Sequence, residues 1–166
     1  MIMIKMNKKR NMAVSIVAAI LLFLLYVLIF SFSEQDGETS GSLSYLISQK
    51  CVELFDALAG RNWTEVFKES LATYFENPIR KLAHFAEYAV MGTLVYTMWR
   101  PWKARSFRLY LLVVIWVFAS AAGDEIHQLY VPGRYGSAAD VLLDTCGGIF
   151  GMICCIFCEK MKNTIK

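Results

Sequence analysis

Four long apolar runs constrain the fold of this chain more than any other feature. Residues 12–32 carry no charged side chain, and a helix of about twenty such residues crosses the roughly 30 Å hydrocarbon core of a bilayer. Three further runs cover about residues 81–99, 107–130 and 138–158. Apolar residues make up 57% of the chain, more than a soluble domain of this size needs. The sequence therefore predicts an all-α membrane protein with four transmembrane helices in a single membrane domain, residues 1–166.

The first run also has features of a secretory signal peptide, because basic residues precede it. It is longer than the usual apolar core of about 7–15 residues, and the residues that follow, Ser33-Glu34-Gln35, do not form a small-x-small cleavage site. We therefore interpret this run as an uncleaved membrane anchor.

The basic residues predict an orientation. Eleven of the 17 lysines and arginines lie before the first run, between the second and third, or after the fourth: Lys5, Lys8, Lys9, Arg10, Arg100, Lys103, Arg105, Arg108, Lys160, Lys162 and Lys166. By the positive-inside rule, both termini and residues 100–108 are cytoplasmic, and residues 33–78 lie outside. The net charge of +3 comes without a basic stripe or a nucleic-acid-reading motif, so no nucleic-acid partner is expected.

The predicted outer segment, residues 33–78, is acidic and helical in its patterning. It holds eight of the 14 acidic residues, and its apolar side chains recur at helical spacing on either side of Gly60. This pattern predicts two short amphipathic helices with a break near Gly60. They would cap the spans, rest in the outer leaflet as an interfacial element, or do some of both.

The fourth run carries small side chains that favour packing. Of the five cysteines, four belong to this run or its inner end: Cys146, Cys154, Cys155 and Cys158. A disulfide is not expected there, and the cluster lacks the second ligand pair of a metal site. We interpret these cysteines as packing residues, with palmitoylation as the alternative. Gly147 and Gly151 form a G-x-x-x-G pattern that permits close contact between helices.

Polar side chains recur at helical spacing in each of the last three predicted spans. Arg80, His84, Glu87 and Tyr88 share one face of the second, with Lys81 beside Arg80; Asp124, His127 and Gln128 share one face of the third, with Glu125 three residues before Gln128; and Asp140 and Asp144 are four apart in the fourth. The predicted topology places all of them at a similar depth near the outer surface. A charged side chain in the bilayer centre costs about 2.5–3.5 kcal/mol and normally faces a partner inside the bundle. We therefore expect these groups to meet in one outward-facing cavity.

The connection between the third and fourth spans predicts a tight turn. Pro132 and two glycines permit the turn, and Ser137 with Asp140 forms an S-x-x-D capping pattern that begins the fourth helix. Arg134 is thereby placed above the mouth of the cavity. Its guanidinium would either bind a phosphate or carboxylate from the outer leaflet or form a rim salt bridge to Asp140.

Several of these segments together resemble the VanZ-like family, over roughly residues 32–151. They are Ser33-x-Gln35, Arg80-Lys81-x-x-His84-Phe85-x-x-Tyr88, Asp124-Glu125-x-x-Gln128, and the pattern from Pro132-Gly133-Arg134 through Ser137, Asp140 and Asp144 to Gly147-Gly148. The resemblance implies a small multi-span protein of the bacterial cytoplasmic membrane. Some members of the family are associated with tolerance to teicoplanin-type lipoglycopeptide antibiotics, but no reaction is implied. Asp144 stands where many members carry asparagine, which argues against a catalytic role for this residue.

Three functions fit these observations. We predict that the cavity handles the anionic headgroup of a membrane lipid or a lipid-linked cell-wall precursor and so contributes to antibiotic tolerance. The predicted binding residues are Arg80, Lys81, Glu87, Tyr88, Asp124, Gln128, Arg134, Asp140 and Asp144.

The first alternative is an intramembrane hydrolase or transferase with His84 or Glu125 as the general base. The sequence shows no nucleophile at a recognisable spacing for it. No cofactor and no dedicated metal site are predicted, although the acidic cluster could hold a divalent cation. The second alternative is a structural scaffold, and the sequence does not specify an oligomeric state.

Overall fold

The computed structural model describes residues 2–102 and 106–164, with side chains described for 11–102, 106–162 and 164. Over these residues the chain forms five α-helices and no strand: α1 (Ile2–Ser33), α2 (Gly37–Ala59), α3 (Glu65–Trp99), α4 (Phe107–Gln128) and α5 (Ala138–Thr164). The all-α prediction is confirmed. Lys103, Arg105 and Lys166 of the predicted cytoplasmic set lie outside the described residues, as do the side chains of Lys5, Lys8, Lys9 and Arg10.

Only one of the two amphipathic helices predicted for the outer segment is a separate helix. It is α2, which begins where the Thr39 N–H donates to the side chain of Asp36 at 2.7 Å and ends at Gly60, which has a left-handed φ of 59°. The second predicted amphipathic helix is the first half of α3. It continues through Pro78 into the second predicted span as one helix of 35 residues, roughly 50 Å long at 1.5 Å per residue. The prediction of separate helices was therefore wrong at this point.

The helix α2 packs against the first half of α3, and we call residues 37–80 the α2–α3 hairpin. The buried Ser48 hydroxyl donates to the carbonyl of Ala72 at 2.7 Å. Near the tip, the Asp56 carboxylate accepts the Trp63 N–H at 3.0 Å and pairs with Lys68 at 3.0 Å. These contacts fix the hairpin, but large apolar side chains on its surface remain exposed, among them Leu54, Phe55, Leu58, Val66 and Tyr74.

The core of the bundle lies where α3 packs against α1, α4 and α5. Its largest fully buried side chains are Tyr88, Met91, Val95, Tyr96, Leu109, Val113 and Val117. The helices α3 and α5 approach each other closely, since Gly147 faces the carbonyl of Phe85 and Gly151 faces the carbonyl of Ala89. The predicted close contact through the G-x-x-x-G pattern is confirmed.

Within the described part of the chain, three helical segments are long and apolar enough to cross a membrane: Asn11–Ser33, Phe107–Gln128 and Ala138–Lys162. They correspond to the first, third and fourth predicted spans, so three candidate spans are found and the prediction of four is not confirmed. The second half of α3 does not meet the same criterion, because His84, Glu87 and several tyrosines and threonines reduce its apolar content.

Candidate functional site

The connection between α4 and α5 packs against the start of α2. The Gly37 N–H donates to the carbonyl of Pro132 at 3.1 Å, and a Cβ atom at Gly37 would collide with the backbone of Gly133. Gly133 itself has a φ of 72°, in the left-handed region that favours glycine. This connection is therefore held tightly at one end of the bundle, which we call the loop end.

A polar cavity of about 270 Å³ lies at the loop end between α3, α4 and α5. Eight of the predicted site residues line it: Arg80, Lys81, His84, Glu125, Gln128, Arg134, Asp140 and Asp144. Five lining residues were not among the predicted site residues: Asn77, Gly133, Tyr135, Ser137 and Leu143. The structure thus brings most of the predicted groups from three helices into one place.

Three predicted site residues do not line the polar cavity. Glu87 lies beside it, with its Oε2 atom 3.5 Å from Nδ1 of His84. Tyr88 and Asp124 instead line a separate, mostly apolar groove of about 880 Å³ that α1 and α4 flank. Successive helical residues differ by about 100° in direction, so Asp124 points away from Glu125. The groove and the cavity are linked where Gln128 donates to Asp124 at 3.1 Å.

Glu125 fixes the beginning of α5. The Ser137 N–H donates to its Oε2 atom at 2.6 Å, while the Ser137 hydroxyl accepts the Asp140 N–H at 3.3 Å. The predicted S-x-x-D pattern therefore supplies only one of the two capping bonds. The Asp140 carboxylate does not accept the Ser137 N–H, because it accepts a hydrogen bond from Lys81. The second capping bond is instead supplied by Glu125, which lies on α4.

Arg134 binds the end of α1 rather than Asp140. Its Nε donates to the carbonyl of Gln35 at 3.0 Å and its Nη2 to the carbonyl of Phe32 at 2.9 Å. A cation at these positions is favourable because the carbonyls at a helix C-terminus lack intrahelical partners. Burial lowers the pKa of Arg134 below its usual value, and the nearby charge of Arg80 adds to the effect. The predicted rim salt bridge from Arg134 to Asp140 is absent among the described residues.

The mouth of the cavity holds two guanidinium groups without a close counter-ion. Arg80 donates to the side-chain oxygen of Asn77 at 3.3 Å, and Arg134 donates to carbonyls. Among residues 11–102 and 106–162, no carboxylate lies within ion-pair distance of either guanidinium. Lys81 already pairs with Asp140. The two arginines therefore form a cationic rim that is open to an anion.

The floor of the cavity holds buried polar atoms without a hydrogen bond. Asp144 is 1% exposed, and its Oδ1 atom has no hydrogen-bond partner among the described residues. The Nδ1 atom of His84 is also buried without a hydrogen bond, although Glu87 lies close. A buried acceptor without a donor costs about 1–3 kcal/mol. The floor is therefore suited to a group that carries a hydrogen-bond donor.

In the part of the chain that the structure describes, no three histidine, cysteine or acidic side chains are placed to hold a metal ion, and all five cysteines are free. The divalent cation that the sequence left open stays a prediction. His84 and Glu125 line the cavity, and their catalytic role likewise stays a prediction.

A family model described as VanZ/LLP1 matches residues 18–159 of the chain. The chain belongs to the VanZ-like family. The matched range includes every residue that lines the polar cavity of this VanZ-like protein, from Asn77 to Asp144. The family inferred from the sequence motifs is thus confirmed, and the apolar helices agree with a VanZ-like membrane protein. No curated protein and no solved structure matches this VanZ-like chain significantly.

Proposed function

We propose that this VanZ-like protein binds the anionic headgroup of an envelope lipid or a lipid-linked cell-wall precursor in the polar cavity, and thereby contributes to tolerance of teicoplanin-type lipoglycopeptides. The observation that carries the proposal is the cationic rim, where Arg80 and Arg134 have no carboxylate within ion-pair distance among the described residues. A guanidinium offers several N–H donors in a planar fork that matches the oxygens of a phosphate.

The proposal includes a topology. The second half of α3 is the remaining span, the second in chain order, since it packs among α1, α4 and α5 and directs polar side chains into the bundle. Such placement is typical of polar side chains inside a membrane. With the basic residues on the cytoplasmic side, the loop end and the α2–α3 hairpin face the outside of the bacterial cytoplasmic membrane. The cavity then opens where outer-leaflet headgroups lie.

The contacts of Glu125 support a positioning role for this residue. Its Oε2 atom accepts the Ser137 N–H at 2.6 Å, so this oxygen holds the start of α5. The proposal therefore assigns contact with the ligand to the two arginines at the mouth.

Replacing Arg80 by glutamine tests the proposal with little effect on the fold. Among the described residues, this side chain makes one hydrogen bond, to Asn77 three residues away, and such surface changes usually alter stability by less than about 0.5 kcal/mol. We expect Arg80→Gln to fold and insert normally, while the teicoplanin tolerance of cells falls to that of cells lacking the protein. Tolerance is read as the minimal inhibitory concentration, with the folded protein quantified in the same cells.

Lys50→Gln is the matched control. Lys50 lies on the α2–α3 hairpin away from the cavity, with its side chain 68% exposed, so this variant removes the same charge without touching the rim. It should keep full tolerance. Full tolerance in a folded Arg80→Gln protein would refute the proposal, and a loss of tolerance that only follows loss of folded protein would favour the scaffold function.

A further inference from the structure

The polar cavity has two chemically different levels. Arg80 and Arg134 lie at its mouth. His84 lies one helical turn beyond Arg80 on α3, and Asp144 lies one turn beyond Asp140 on α5. Both helices run away from the loop end, so the second level is roughly 6 Å deeper at 1.5 Å per residue. A ligand that fills the cavity meets cations first and a buried acceptor below them.

The deeper level requires a donor. Asp144 is 1% exposed and lines the cavity, yet its Oδ1 atom accepts no hydrogen bond from any described residue. Buried polar atoms in folded proteins are almost always paired. A bare phosphate bound by the arginines offers no such donor to this oxygen once it is fully ionised, whereas a hydroxyl or amine group does.

The cavity volume limits the size of the ligand. About 270 Å³ corresponds to roughly nine water molecules at about 30 Å³ each. Pockets for drug-sized ligands measure about 300–1,000 Å³, so the sugar and peptide portions of a wall precursor would lie outside the mouth of this cavity. A phosphate with a substituent of a few heavy atoms fits inside it.

We propose that the ligand is a small phosphate ester whose phosphate binds Arg80 and Arg134 and whose hydroxyl or amine group donates to Asp144. This inference rests on the proposed function and narrows it, because it selects a small phosphate headgroup over the complete headgroup of a wall precursor. A phospholipid headgroup and a free phosphate ester such as glycerol phosphate share this chemistry.

Two lipids of equal charge test the donor requirement. The full chain is placed in nanodiscs of phosphatidylcholine that contain a minor fraction of either phosphatidylglycerol or phosphatidylmethanol, and the lipid that stays bound is measured by native mass spectrometry. Both lipids have one anionic phosphate diester, but only phosphatidylglycerol carries hydroxyl donors. We expect the wild-type protein to retain phosphatidylglycerol about ten-fold better, as an unpaired buried acceptor predicts.

Two substitutions at Asp144 separate the donor from the phosphate. Asp144→Asn keeps an acceptor oxygen and the side-chain volume, so the preference for phosphatidylglycerol over phosphatidylmethanol should persist. Asp144→Leu removes the acceptor and should abolish that preference, yet keep the preference of either anionic lipid over phosphatidylcholine, since both arginines remain. Should Asp144→Leu fail to fold, the comparison of the two lipids on the wild-type protein still tests whether the ligand needs a hydrogen-bond donor.

The outcomes separate this inference from the function on which it rests. Equal retention of phosphatidylglycerol and phosphatidylmethanol by the wild-type protein would overturn the donor requirement and leave the anionic-headgroup function standing. No preference for either anionic lipid over phosphatidylcholine would overturn the function itself. Displacement of bound phosphatidylglycerol by added glycerol phosphate would identify the free ester as a ligand, and the absence of displacement would identify the lipid.

Discussion

The crossing of α3 and α5 leaves no room for a side chain at Gly92. A Cβ atom at this position would overlap the carbonyl oxygen of Gly148 and lie 2.6 Å from its carbonyl carbon and 2.7 Å from its Cα. All three are backbone atoms, so no rotamer change can relieve the collision. Gly92→Ala therefore forces the two helices apart.

The cost follows from ordinary contact distances. Carbon atoms rest about 3.5–4.0 Å apart, so α3 and α5 must separate by roughly 1 Å over a crossing that buries Tyr88, Met91 and Val95. Overpacking of this kind typically costs about 1–3 kcal/mol, and we expect the upper end because both surfaces are backbone. Alanine recovers about 1 kcal/mol through its better helix propensity, which leaves a net loss of about 2 kcal/mol.

Equilibrium unfolding in mixed micelles with increasing dodecyl sulfate measures this loss, and Gly123→Ala is the matched control. Gly123 is also a helical glycine, but a Cβ there meets no atom within 4 Å, so only the gain in propensity applies. Gly92→Ala should unfold at lower dodecyl sulfate than wild type, and Gly123→Ala at the same or higher. If Gly92→Ala unfolds together with wild type, the close packing of α3 on α5 is not what holds the bundle.

Three further predictions concern other contacts. Glu125→Ala leaves the Ser137 N–H without its acceptor and should lower the free energy of unfolding by about 1.5–3 kcal/mol. Glu125→Gln keeps an acceptor oxygen and should lower that free energy clearly less in thermal unfolding. Equal losses in the two variants would rule out this bond as the cause. The Trp63 N–H holds the pKa of Asp56 below its usual value, so the contribution of this carboxylate is complete above the unfolded pKa of about 3.9 and is lost as pH falls through the lower folded pKa. Amide hydrogen exchange of the α2–α3 hairpin should show this loss in the wild type and not in Asp56→Asn, and identical pH profiles would contradict it. Cys51 is exposed on the same hairpin, so a membrane-impermeant maleimide on intact cells should label the wild type but not Cys51→Ser, while labelling of Cys51→Ser would reverse the proposed topology.

The helices could largely be predicted from the sequence, because long apolar runs and helical spacing are local properties. The break at Gly60 was predicted for the same reason. The continuity of α3 through Pro78 was not, since proline lacks the N–H that a helix interior uses and disfavours a helical residue before it. The helix α2 packs along the first half of α3, with the bond from Ser48 to Ala72 six residues before this proline. Tertiary contacts of this kind are not visible in a local pattern.

The residues of the cavity could be predicted better than their contacts. Spacing grouped Arg80 with His84 and Asp140 with Asp144, and these residues do lie together. Spacing does not fix how α4 is rotated about its axis, so Asp124 was placed in the cavity although it lines the neighbouring groove. Asn77 could have been included, because it lies three residues before Arg80 on the same stripe.

The partners of Arg134 could not be predicted at all, because they are backbone carbonyls, and any residue at positions 32 and 35 supplies the same oxygens.

Those two carbonyls give the first helix a role beyond holding the protein in a membrane. None of the described side chains of α1 lines the polar cavity, yet its last turn and the segment just beyond it hold the guanidinium of Arg134 through the carbonyl oxygens of Phe32 and Gln35. The end of α1 therefore helps to position one cation of the rim. We expect a foreign anchor that ends at a different height to leave Arg134 without these two acceptors, so α1 does more than anchor the chain.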